Sequence, residues 1–304
     1  MKGAPSSQPS SISNTTGAWL MVQSALAFSV MTLLVKLVGQ RLPSQEIVVA
    51  RAFVSLILSY GLLRRAGVSP WGNDRPWLWF RGLLGFFGLS CVYAAVTHLP
   101  LAESTVLQYI HPAITAILAG LFLGEALSGR LFAATATSLL GVALVARPAF
   151  LFGQTTDALD PFWVAVAIGG AFFSASAYVV VRRLSRTEHP LVIVFYFPLV
   201  TLPLAIPTML PDFIWPEGVE WLLLLGIGIA TQIGQVSLTR GLTQLPAAQG
   251  TALSYLQVVF AAAWGYAVFG ETLDGWTLLG GSLVVLSAFG VAQNAAKPKP
   301  KPQS

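Results

Sequence analysis

The stretch Leu99–Gly129, LPLAESTVLQYIHPAITAILAGLFLGEALSG, returns without a gap as Leu245–Gly275, LPAAQGTALSYLQVVFAAAWGYAVFGETLDG. An offset of about 146 positions aligns the two, as in any search for internal repeats. It places Leu99-Pro100 on Leu245-Pro246, Thr105 on Thr251, Leu107 on Leu253 and Tyr109 on Tyr255. Gly124-Glu125, Leu127 and Gly129 fall on Gly270-Glu271, Leu273 and Gly275. Both copies are very apolar. The chain therefore reads as a membrane protein made by duplication, an architecture that points to a transporter.

Composition agrees with that reading. The 304 residues are 55% hydrophobic and 10% charged, with a mean hydropathy of +0.72. A soluble domain carries about 25% charged residues, too many for this chain to match with a water-facing surface. The lone cysteine, Cys91, lies in an apolar run, so neither an intrachain disulfide nor a cysteine metal cluster is expected. The first 16 residues are rich in Ser, Thr, Pro and Gln and lack the features of a signal peptide, so the first hydrophobic segment is expected to be retained.

Breaking the chain at Pro, Gly and charge clusters gives ten spans of bilayer length: 17–39, 46–63, 77–97, 102–124, 129–147, 161–184, 190–210, 219–243, 247–269 and 275–294. The seventh holds Pro198, Pro203 and Pro207 and is expected to bend. The implied organisation is a disordered cytoplasmic N-terminus (1–16), a five-helix repeat (17–147) and a connecting loop (148–160). A second five-helix repeat (161–294) and a basic Pro/Lys tail (295–304) follow.

An even number of spans puts both termini on one side. With the termini inside, the cytoplasmic segments hold Lys2, Arg64, Arg65, Arg75, Arg130, Arg182, Arg183, Arg186, Lys297, Lys299 and Lys301. The other side holds Arg41 and Arg147. This asymmetry is the positive-inside signal. It also accounts for the net charge of +5 without nucleic acid, because the basic residues flank spans instead of forming a patch. Five spans per unit is an odd number, so the second unit must insert upside down, giving two inverted-topology repeats in an all-α membrane fold.

Ala95-x-x-x-Leu99-Pro100-Leu101-Ala102-Glu103-Ser104-Thr105 and Gly124-Glu125-x-Leu127 resemble the signature of the drug/metabolite transporter superfamily, EamA type. Leu245-Pro246-Ala247-Ala248 through Gly270-Glu271 and the Arg51-Ala52-Phe53 start of the second span are similar to it as well. The resemblance implies a ten-helix carrier or exporter with a central cavity between its halves. The family pattern often has proline in the middle of both the fourth and ninth helices. Here Pro112 has Val258 as its counterpart, so the residues do not call for the same kink twice.

Within the fourth span Ser104, Gln108 and His111 share one helical face, and Gly250, Ser254 and Gln257 hold the same register in the ninth. In the eighth, Gln232, Gln235 and Thr239 share a face. Polar side chains in a bilayer either bond between helices or line a wet cavity. The shared register favours the cavity, and makes Ser104, Gln108, His111, Gln232, Gln235, Ser254 and Gln257 the candidate substrate-binding set. Glu103, His111 and Arg51 are the candidates for coupling transport to protons or for meeting an anionic group. Lys36, Arg51, Arg81 and Arg240 are expected to snorkel to the interface, Arg51 being the first exception if it pairs with Glu103 or an anionic substrate. Ser174 and Tyr178, among small residues of the sixth span, read as packing, and Glu125 and Glu271 as turn residues.

The chain has no Walker-type phosphate loop, no H-E-x-x-H and no G-x-S-x-G, so neither direct ATP drive nor hydrolase chemistry is expected. The reading is a cofactor-free secondary-active transporter in a bacterial-type plasma membrane, moving an amino acid or similar small metabolite by alternating access. Export, as opposed to uptake, rests on the resemblance alone. A passive channel or a non-transporting membrane scaffold is the alternative.

Overall fold

The computed structural model describes residues 11–126, 128–152 and 159–296, and these contain helices and no strands. Ten stretches are long and apolar enough to cross a membrane. The first half comprises α1 (Ser11–Val38), α2 (Ser44–Arg65), α3 (Arg75–His98), α4 (Leu101–Gln108), α5 (His111–Leu123) and α6 (Gly129–Ala146). After the short α7 (Ala149–Phe152) the second half comprises α8 (Pro161–Leu184), α9 (Pro190–Met209), α10 (Glu220–Gln244), α11 (Ala247–Leu253), α12 (Leu256–Phe269) and α13 (Gly275–Ala296).

The offset of the two motifs runs through the whole fold. Val38 ends α1 and Leu184 ends α8, while Ser44 opens α2 and Pro190 opens α9. His98 and Gln244 close α3 and α10, and Leu123 and Phe269 close α5 and α12. Each of these pairs has the spacing of Leu99 and Leu245. Some expected limits shift. Helix α1 starts at Ser11, inside the segment expected to be disordered, and residues 1–10 lie outside the described residues. The connecting loop contains α7, with 153–158 undescribed, and of the basic tail only its first residues, within α13, are described.

Close packing comes from small residues that let backbones approach, the usual solution where lipid supplies no hydrophobic drive. A Cβ placed on Gly141 of α6 would meet the Gly280 carbonyl of α13 at 2.6 Å. Beside that crossing Ser138 Oγ donates to Ser287 Oγ at 2.9 Å. Ser24 Oγ of α1 donates to the Gly234 carbonyl of α10 at 2.9 Å. Helix α9 stays continuous through its three prolines, and Leu191–Pro198 are all buried. Large apolar side chains such as Phe122, Phe132 and Leu286 face outward, where a bilayer would cover them.

Polar contacts between connections gather at two ends of the bundle. At one, Arg41 pairs with Glu220 and Arg147 Nη1 meets Asp274 at 2.5 Å. At the other, the Glu188 carboxylate accepts the Asn73 and Asp74 N–H groups at 2.6 and 2.5 Å, and Arg183 stacks over Trp77 at 4.0 Å.

Candidate functional site

The fourth and ninth spans are each broken near mid-length, and the breaks fall on repeat-related tyrosines. Pro112 has no N–H to give, which frees the Gln108 carbonyl four residues earlier. The His111 ring takes that carbonyl through Nδ1 at 3.0 Å. A carbonyl only accepts, so Nδ1 carries the hydrogen and Nε2 is left as a buried acceptor, with no partner among the described residues. At the second break Val258 replaces the proline, yet the helix is interrupted all the same. There the backbone tightens into i→i−3 bonds, from Ser254 N–H to Thr251 O at 3.1 Å and from Gln257 N–H to Ser254 O at 3.0 Å. Ser254 Oγ also donates to Thr251 O at 2.6 Å. The asymmetry of Pro112 and Val258 therefore does not produce an asymmetric fold. The two breaks touch: Tyr255 Oη donates to the Tyr109 carbonyl at 3.0 Å, and the two rings stack at 5.9 Å.

The expected polar set divides. Gln108 and Gln257 are half-buried, and Gln108 Oε1 has no partner among the described residues. Ser104 and His111 are buried. Gln235 Oε1 accepts from Arg81 Nη2 at 3.3 Å. Gln232 is committed elsewhere, pairing with Ser59 through Nε2 at 2.9 Å, so it joins α10 to α2. Ser254 is spent on its own helix break. Glu103, 1% exposed, accepts the Ala149 N–H at 2.7 Å and so ties α4 to α7. It makes no ion pair with Arg51 among the described residues.

Arg51 and Arg81 depart most from the sequence reading. They are 6% and 2% exposed, and neither snorkels. Both approach the ring of Phe197, the guanidinium carbons lying 5.9 and 4.5 Å from its centroid. Arg51 Nη1 reaches Met31 Sδ at 3.6 Å, while Arg81 Nε and Nη1 have no partner among the described residues. Tyr178 stands within electrostatic reach of Arg81 and sets its ring 5.5 Å from that of His111. The α4–α5 break thus meets Tyr178 through His111, and Arg81 and Arg51 converge on Phe197. The packing role expected for Tyr178 is incomplete, whereas Ser174 does sit against Gly88. Lys36 and Arg240 do reach exposed positions.

The sequence reading missed a second arrangement. The offset relates Lys36 to Arg182 and Glu125 to Glu271, and the structure pairs them crosswise. Arg182 Nε donates to Glu125 Oε1 at 3.0 Å, and Lys36 Nζ donates to Glu271 Oε1 at 2.6 Å. Each pair joins the end of one repeat's first helix to the turn after the other repeat's broken span. The turns themselves are built as expected, with Gly124 and Gly270 at φ 64° and 66° and the Glu N–H groups bonded back to Ala119 and Gly265.

The two pairs are unequal. The Arg182 and Glu125 side chains are 20% and 11% exposed, against 50% and 55% for Lys36 and Glu271. Arg182 Nη1 also donates to the Leu242 and Thr243 carbonyls at 2.9 and 3.0 Å. Glu125 Oε2 accepts the Ala247 N–H at 2.7 Å, where α11 begins. Helix α11 packs closely on α5, α6 and α8. Its repeat counterpart α4 has no matching close packing on α12, α13 and α1 among the described residues.

The chain matches the EamA-like transporter family twice, over residues 15–147 and 161–293, two segments in the register of the helix repeat. It is 34% identical to the pseudopaline exporter CntI of Pseudomonas aeruginosa over 279 residues, 91% of this chain and 96% of that protein. It is 30% identical to human solute carrier family 35 member G1, covering 91% of this chain and 78% of the relative. The riboflavin transporter of Vibrio cholerae is 25% identical, with 91% and 93% covered. A solved structure at 20% identity superposes with a TM-score of 0.80 over 92% of this chain and 97% of the other, which shows a shared fold.

Proposed function

The chain belongs to the EamA-like transporter family, a multi-pass membrane transporter and not an enzyme, and on that premise we propose that it is a secondary-active carrier exporting a small metabolite by alternating access. The observation that carries this reading is the inequality of two repeat-related ion pairs. Inverted repeats place equivalent contacts at opposite membrane faces, so exchange of conformation between them opens one face as it closes the other. The Arg182–Glu125 latch is half-buried and extended, while Lys36–Glu271 is exposed, as one face closed and one face open would require.

The orientation follows from charge. Arg64, Arg65, Arg75, Arg130, Arg183 and Arg186 accompany the Glu125 latch, and Arg41 and Arg147 lie at the other end. The positive-inside tendency makes the Glu125 end cytoplasmic. Both termini are then cytoplasmic, and the open face is outward. Substrate binds between the halves, with Gln108, His111, Gln235 and Gln257 on its walls and Ser104 beside them. Gln232 and Ser254 support the site from the helices behind it. Glu103 and His111 are the groups through which protons would couple to the cycle.

Two measurements test this. A cysteine at Val219 should react with an impermeant thiol reagent in intact cells carrying a Cys91 replacement, and one at Thr187 only after permeabilisation. In proteoliposomes a carrier saturates and shows counterflow. Flux without either assigns a channel, and absence of flux across a broad metabolite screen assigns a scaffold.

A further inference from the structure

We infer that the site takes an anionic substrate, specifically a small organic acid with at least two carboxylates, held by Arg51 and Arg81. The inference rests on the transport reading above and adds the class of cargo. Arginine stays charged in proteins, so burying it demands a compensating partner. Among the described residues, the five ion pairs involve Lys36, Arg41, Arg147 and Arg182, and none reaches Arg51 or Arg81. What the two do have is weak: a thioether for Arg51, one glutamine oxygen for Arg81, and a shared aromatic ring. A cation over an aromatic face is partly compensated, and a guanidinium with two unspent nitrogens is not.

The placement is specific. Arg51 and Phe197 are repeat counterparts on α2 and α9, so the first charge faces the other half of the molecule. Arg81 enters from α3, and Ser55, Thr201 and Thr231 line the small cleft beside Arg51 and Phe197. Two fork-shaped donors that both approach one ring suit a molecule with two planar anionic groups. A purely structural arginine pair would bring its own carboxylates. Here the buried acids Glu46, Glu103 and Glu188 each accept backbone N–H groups, from Ile214, Ala149 and Asn73–Asp74, and none pairs with Arg51 or Arg81 among the described residues. In the proposed orientation, an anion leaving a cell with a negative interior moves down the electrical gradient, which agrees with export.

The test uses the full chain in lipid nanodiscs with citrate, glutarate, glutaramide and glycerol 3-phosphate as probes. Citrate or glutarate should raise the thermal unfolding midpoint, and glutaramide should not. Arg51→Gln and Arg81→Gln should each weaken that response at least tenfold while unfolding, ligand-free, at or above the wild-type midpoint. If a Gln variant fails to fold, Arg51→Lys and Arg81→Lys keep the charge and should retain a weaker response. An equal response to glutaramide, a response untouched by the substitutions, or none to either acid overturns the assignment. A response to glycerol 3-phosphate alone reassigns the site to phosphate esters and also overturns it. Counterflow of the same probes separates the two readings. Binding without flux removes the carrier and keeps the anion site, while saturable flux of neutral solutes alone does the reverse.

Discussion

His111 and the glutamines around it give the sharpest residue-level expectations. The ring's Nδ1 is occupied by the Gln108 carbonyl, so only Nε2 is available to a proton or a substrate. His111→Asn and Glu103→Gln should each be examined for accumulation driven by a pH gradient. The coupling proposal expects at least one to abolish it while leaving exchange intact, and survival in both returns these residues to structure. Gln108→Leu should weaken substrate binding by about 1–2 kcal/mol with little change in thermal stability. Gln232→Leu should do the opposite, because it strands Ser59 at about 1–3 kcal/mol of stability while leaving affinity alone. Sequence reasoning had grouped the two glutamines together. Helical register tells which face a residue occupies, but not whether another helix already meets that face. Arg51 and Arg81 were misread for a related reason: snorkelling is inferred from depth along a span, and these side chains are held inward by Phe197.

At the scale of elements, most of the fold was legible. Apolar length placed ten spans, and the offset of the Leu-Pro and Gly-Glu motifs carried through to many of the paired helix ends, Val38 with Leu184 and His98 with Gln244 among them. The double break was not legible, because proline marks only the first copy and the second is made by backbone bonding that no residue type announces. The Lys36–Arg182 equivalence was available from the same offset and unused, since a basic residue at a span end already had an explanation in topology. Two further outcomes belong here. Gly141→Leu should loosen the α6–α13 crossing by about 1–3 kcal/mol, as overpacking does, read as a lower unfolding midpoint. Asp274 accepts the Thr277 N–H and hydroxyl, and with Arg147 nearby its carboxyl is held below the usual range. Its stabilising effect is present above the ordinary aspartate value of about 4 and is lost as pH falls through the lower folded value. Acid denaturation should therefore be shallower in Asp274→Asn, which lacks this titration.

For the whole molecule, two halves with matching helices make unequal contacts at their two ends. The half-buried latch ties the start of α11 to α5 and α8 through Glu125 and Arg182, while α4 has no matching close packing on α12 among the described residues. If alternating access is how this transporter works, the two latches are alternatives and weakening one should favour the other. Spin labels at Ala126 and Arg186 report the Glu125 end, and labels at Leu151 and Thr272 the Glu271 end, in a chain with Cys91 replaced. Electron–electron distance measurements in nanodiscs should give a short, narrow distribution at the first pair. Glu125→Gln should lengthen it and, in the same sample, shorten the distances at the second pair. Lengthening at the Glu125 end with no change at the other would contradict alternating access through these repeats.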